Sequence, residues 1–225
     1  MRRTAARFRD AGFAQSLPAS PVSRDWGFER GTPIDRFYIE RFLEQSRERI
    51  RGAVLEFGDD AYTRRFGGAR VESSDVLDVA ARSGATIVAD ITQPDAVPAG
   101  RFDCVICTQV LQMIFDVRAA LAQLHRALAP GGALLVTGAG ISKVGRRLGV
   151  DPWGEYWRFT AQSLELLLDE AFPGGEVEVT AYGNVRAATA FLYGVAAEEL
   201  PEGALERRDA PYEVIVAARA VKGAP

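Results

Sequence analysis

Seven strand-length apolar segments, several of them separated by helical patterns, leave this chain few ways to build a core. They are Ala53–Phe57, Arg70–Val76, Thr86–Ala89, Phe102–Thr108, Ala133–Gly138, Val177–Tyr182 and Tyr212–Val221. After the fourth, Val117–Leu128 repeats apolar residues at helical spacing and stops at Pro130-Gly131-Gly132. Thr160 opens another such stretch, Thr160–Phe172, ended by Pro173-Gly174-Gly175. Upstream, Ile34, Phe37, Tyr38 and Phe42 follow the same spacing, with Thr32 as the expected cap and Pro33 at the first helical position. Strands alternating with helices pair in parallel through right-handed crossovers. The expectation is an α/β fold: a mostly parallel, doubly wound sheet with helices on both faces. In such sheets ligands bind beyond the carboxyl ends of the strands.

Composition narrows the function. At 225 residues, 48% hydrophobic and 25% charged, the chain suits one large domain with a full core. We expect residues 1–25 to form a flexible arm and residues 26–225 a single domain. Within it, 26–51 form an N-terminal lid helix, and 184–200 an inserted helix that caps a pocket or makes a homodimer face. The net charge of −3 gives no global basic field, so no nucleic-acid partner is expected. The longest apolar stretches, such as Ala133–Thr137 and Val214–Ala218, are strand-length, so no membrane span is expected. Two cysteines make no disulfide framework, which points to a reducing, cytoplasmic setting. Cys104 and Cys107 fall in one strand and face opposite sides, so they cannot clasp one metal ion. His125 is the sole histidine, placed near a helix C-terminus, and no metal site is expected.

Polar residues gather where the strands end. The first runs into Glu56-Phe57-Gly58-Asp59-Asp60, the second delivers Asp75, and the third leads to Ala89-Asp90-Ile91. The fourth ends at Thr108-Gln109, and the fifth is introduced by His125-Arg126-Ala127-Leu128-Ala129-Pro130-Gly131-Gly132-Ala133-Leu134-Leu135-Val136. In order and spacing, residues 50–140 resemble the class I S-adenosylmethionine-dependent methyltransferases, of the bacterial small-molecule type. Trp153–Thr160, "WGEYWRFT", is similar to a segment after the fifth strand in bacterial members. The resemblance implies a Rossmann-like sheet of seven strands with the last antiparallel, and S-adenosylmethionine as cofactor. It also implies a three-glycine loop after the first strand, of which this chain keeps only Gly58.

On that resemblance the cofactor-binding candidates are Glu56, Gly58, Asp59, Tyr62, Asp75, Val76, Asp90, Ile91, Thr108 and Gln109. A strand-end acid such as Asp75 accepts two hydrogen bonds from ribose hydroxyls, and Asp90 reads the adenine amine. Glycine lets the backbone approach the ligand. Asp59 and Asp60 would repel a pyrophosphate, which disfavours a nicotinamide cofactor. Trp153, Tyr156, Trp157 and Arg146 are candidate pocket residues, and Lys143, Arg146 and Arg147 a candidate clamp for an anionic acceptor. Weak candidates for a base are Glu155, Tyr38, Tyr156 and Asp35. The leading expectation is methyl transfer to a small-molecule acceptor, of sugar or natural-product type, by direct displacement. The alternatives are a binding or regulatory protein of the same fold without catalysis, and a same-fold enzyme of non-methylating chemistry.

Overall fold

A computed structural model describes residues 16–81, 84–146 and 153–224. Seven strands form one sheet: β1 Gly52–Phe57, β2 Val71–Asp78, β3 Ile87–Val88, β4 Phe102–Thr108, β5 Leu128–Ala139, β6 Glu176–Tyr182 and β7 Ile215–Val221. Their order is β3-β2-β1-β4-β5-β7-β6. The β1–β2, β1–β4, β2–β3 and β4–β5 pairs are parallel, and β7 runs antiparallel to both β5 and β6. The doubly wound, seven-stranded expectation therefore holds, including the reversed last strand.

The period-two side-chain alternation of a strand divides the core into two layers. Leu55, Val105, Cys107, Leu134 and Val136 face one side, where they meet helices α2 (Val117–Ala127) and α3 (Ala161–Ala171). Val54, Cys104, Ile106 and Leu135 face the other, under helices α1 (Ile34–Gln45) and α4 (Val185–Tyr193). Cys104 and Cys107 thus lie on opposite faces, both free and fully buried.

Local chemistry sets the helix ends. The Asp116 carboxylate accepts the Ala119 N–H at 3.0 Å and starts α2 at Val117. Thr160 and Ser163 form a reciprocal capping box at the start of α3. Asn184 caps α4, accepting from Ala187 and donating to the Ala204 and Arg207 carbonyls.

Three sequence expectations change. Helix α1 begins at Ile34, and Pro33 stands at the cap position with no side-chain hydrogen bond. The Thr32 backbone is spent elsewhere: its N–H donates to Glu198 and its carbonyl accepts from Ala197. The inserted helix stops at Tyr193, because Gly194 adopts a left-handed φ of 72°, and a short 3₁₀ turn at Ala197–Glu199 completes the segment. Strand β2 continues past Asp75, which pairs with Leu55 in mid-strand, and ends at Asp78. No helix among the described residues is long and apolar enough to cross a membrane.

Candidate active site

The strand order reverses between β1 and β4, which parts the loops above their carboxyl ends and opens a crevice there. A chamber of 540 Å³ occupies that place. Phe57 and Gly58 reach it from β1, Leu77 and Asp78 from β2, and Asp90 and Ile91 from beyond β3. Val110 to Asp116 follow β4 as a 3₁₀ turn (Leu111–Met113) leading to the α2 cap, and Met113 and Phe115 of that stretch form part of the wall. Trp153 and Tyr156 complete it.

Gly58 has a φ of 83°, a conformation that side chains rarely adopt, and a Cβ built on it would meet no protein atom within 4 Å. Asp78 is 8% exposed, with Oδ1 accepting the Ala80 N–H at 2.9 Å. Asp90 accepts the backbone N–H and the hydroxyl of Thr92 at 2.9 and 2.8 Å, and these bonds hold its carboxyl below the usual range. The Trp153 indole N–H lies 3.3 Å from the Met113 sulfur, and Tyr156 packs edge-on against Phe115.

A second chamber of 240 Å³ adjoins the first, and Met113 lines both. It is the more polar of the two in its side chains: Asp35, Gln109, Gln112, Lys143, Arg146 and Glu155 open on it, beside Trp26 and Phe28. Burial raises the Asp35 carboxyl above its ordinary value, against the pull of the Arg36 N–H and of the Arg36 and Lys143 charges. The Lys143 ammonium sits 3.2 Å from the centre of the Trp26 ring.

The two chambers share Met113, the first beyond the carboxyl ends of β1 and β2 and the second beyond those of β4 and β5. A family model described as "Methyltransferase domain" matches residues 20–171, more than half of the chain. The chain belongs to the methyltransferase-domain family. Solved structures agree on the fold. The [4+2]-cyclase SpnF is 18% identical, with 87% of this chain and 85% of that one covered at a TM-score of 0.56. The N-methyltransferase NodS from Bradyrhizobium japonicum, in complex with S-adenosyl-L-homocysteine, is 18% identical over 89% and 93%, also at 0.56. An S-adenosylmethionine-dependent methyltransferase from Mesorhizobium loti is 14% identical over 84% and 98%, at 0.53. No curated protein sequence matches the chain.

The methyltransferase fold brings together part of the residue set expected from the sequence. Gly58, Asp90, Ile91, Trp153 and Tyr156 line the first chamber. Asp35, Gln109, Arg146 and Glu155 line the second. The others lie outside both linings, each for a visible reason. Asp75 is tied to the Thr86 hydroxyl at 2.8 Å and to Arg101 at 2.5 Å. Glu56 turns into its own loop, accepting from Tyr62 and Thr63. Asp59 is exposed and caps the Ala61 N–H. Val76 is core, and Thr108 ends β4. The Tyr62 ring packs on Phe66 and the α1 cluster. Trp157 stacks on Phe115 and donates to the Ile114 and Phe115 carbonyls.

Two base candidates are corrected as well. Tyr38 is fully buried, stacked on Tyr182, and its phenol is pushed up to about 12 by burial. Glu155 spends Oε2 on the Gly145 and Arg146 N–H groups and Oε1 on Arg158 at 2.7 Å, so it organises a loop. Arg147 of the expected cationic clamp lies outside the described residues. Sequence reasoning missed Asp78 and Gln112. The signal for Asp78 was present: the apolar pair Val76-Leu77 follows Asp75 and leads straight to a second acid.

Proposed function

We propose that this protein transfers a methyl group from S-adenosylmethionine to a small-molecule acceptor of sugar or natural-product type. The first chamber, with Gly58, Asp78 and Asp90 at consecutive strand ends, is the observation that carries this reading. The residues suit the cofactor: Asp78 to accept from the ribose hydroxyls, Asp90 and the Ile91 backbone to meet the adenine, and Gly58 to leave room for close approach. When bound, the cofactor supplies an electrophilic methyl group on a sulfonium. The chain's own task is then to align an acceptor with it and to keep water away, the alignment being a large share of catalysis in a direct displacement. The second chamber, joined to the first at Met113, is where we place the acceptor. Two free, buried thiols are in keeping with a reducing, cytoplasmic setting.

Calorimetric titration with S-adenosylhomocysteine is the direct experiment, and saturable binding at one site per chain is expected. Absence of binding would remove the reading. A cyclase shares this fold, so a donor with an isotopically labelled methyl group separates the chemistries: label recovered in the product marks methyl transfer, and product without label marks rearrangement.

A further inference from the structure

A chain of polar side chains, Thr137 and Gln112 buried and Gln109 between them half-buried, runs from β5 into the second chamber and stops one hydrogen bond short. Thr137 on β5 has no exposure, and its hydroxyl oxygen accepts from the Gln109 backbone N–H and from Gln109 Nε2, both at 3.2 Å. Gln109 Oε1 in turn accepts from Gln112 Nε2 at 2.9 Å. Gln112 is 6% exposed and lines the chamber, yet its Oε1 is buried with no hydrogen-bond partner among the described residues. Reversing both amides does not cure this: the deficit stays on Gln112 and changes from an oxygen to an N–H₂ group. Buried polar atoms are paired in nearly all folded proteins, so an unmatched one on a residue of the chamber wall asks for a partner, which a ligand supplies once the amide turns toward the chamber.

Asp35 opens on the same chamber from the first turn of α1. Its carboxylate accepts the Arg36 backbone N–H at 2.8 Å. A hydroxyl both donates and accepts, so it satisfies Gln112 in either amide orientation and offers a proton to Asp35. An ammonium only donates and a carboxylate only accepts. The volume, 240 Å³, falls below the drug-sized range that starts at about 300 Å³ and suits a monosaccharide-sized ring.

We propose that the second chamber binds a polyhydroxylated acceptor, with Gln112 positioning one hydroxyl and Asp35 receiving the proton of the hydroxyl that is methylated. This rests on the methyl-transfer reading. The acceptor oxygen bonds to the methyl carbon as the carbon–sulfur bond breaks, its electron pair staying on sulfur, and the hydroxyl proton passes to the Asp35 carboxylate. Arg36, Lys143 and Arg146 are the cations around Asp35, and Tyr62 and Glu155 the other titratable groups. Desolvation of Asp35 strengthens it as a base.

The test uses the full chain saturated with S-adenosylhomocysteine and saturation-transfer NMR. Methyl α-glucopyranoside, methyl α-rhamnopyranoside and catechol are the hydroxyl probes, with benzylamine and benzoate as counterparts. Hydroxyl probes are expected to bind in preference, and Gln112→Met to weaken them at least about tenfold while S-adenosylhomocysteine affinity holds. Gln112→Glu, which keeps shape and an acceptor oxygen, should restore binding and guards against a folding defect in the first variant. With a probe that is turned over, Asp35→Asn should lower kcat about a hundredfold, flatten its pH profile and leave KM near wild type. Tighter binding of benzylamine or benzoate, no hydroxyl probe bound at millimolar concentration, or undiminished binding by Gln112→Met would overturn the assignment. Wild-type protein that binds no S-adenosylhomocysteine would instead overturn the methyl-transfer reading beneath it.

Discussion

One oxygen of Glu56 accepts both the backbone N–H and the hydroxyl of Thr63, each at 2.7 Å. The other accepts the Tyr62 N–H at 3.2 Å, so the carboxylate ties the end of β1 to the turn beyond Gly58. Glu56 is 2% exposed, and burial outweighs these three bonds, with Asp59 adding to it, pushing the carboxyl up to about 7. The folded chain therefore holds this proton more tightly than the unfolded chain. Stability contributed below pH 4.5 is lost as pH rises to about 7 and then stays level. A shift of that size is worth about 3 kcal/mol. Urea unfolding across this window is expected to show a flatter pH dependence for Glu56→Gln than for wild type. Equal slopes would contradict the account.

Asp78 and Asp75 are separable by binding. Asp78 lines the first chamber, whereas Asp75 is held in mid-strand by Arg101 and Thr86. Loss of a charge-assisted hydrogen bond to the ligand costs about 1.5–3 kcal/mol. Asp78→Ala should therefore weaken S-adenosylhomocysteine binding tenfold or more in calorimetry. Asp75→Ala should leave that affinity near wild type and lower Tm slightly, since half-exposed ion pairs contribute at most about 1 kcal/mol. The reverse pattern would restore Asp75 to the ribose.

These two acids also show what was legible in the sequence. Hydrophobic patterning places β4 at Phe102–Thr108, because a strand's extent depends on local pattern, whereas the reversal between β1 and β4 is a property of long-range pairing. The end of β2 lies two residues beyond the Val76 expected from the sequence, since pairing with β1, Leu77 against Phe57, decides where that strand stops. Tyr38 stands among the base candidates because helical spacing alone does not say which neighbour a face meets. In the fold that face meets Tyr182. Gln112 carried no signal at all: its interest is an unmade hydrogen bond, a property of three-dimensional packing.

Cys104 and Cys107 offer a probe of opening. Both have no exposure, and burial drives both thiols well above the ordinary cysteine range. The thiolate is the reactive form. No labelling by a disulfide reagent is expected at neutral pH in the native state, and two thiols per chain should react in denaturant. Rapid native labelling would mean that the sheet opens locally around β4.

Gly58 links backbone conformation to the ligand. Its φ of 83° disfavours any side chain, and a left-handed conformation costs an L-residue about 1–2 kcal/mol. A Cβ there touches no protein atom within 4 Å, so Gly58→Ala should lose only that backbone strain in stability. Gly58 also lines the first chamber, and the open space beside it is where a bound ligand would press on the new methyl group. The expected signature is a modest fall in Tm with a disproportionate loss of S-adenosylhomocysteine affinity, at least about tenfold. Calorimetry and thermal unfolding on the same preparation check both. If affinity falls only as far as stability does, the ligand does not approach this backbone, and the single glycine retained after β1 serves the turn alone.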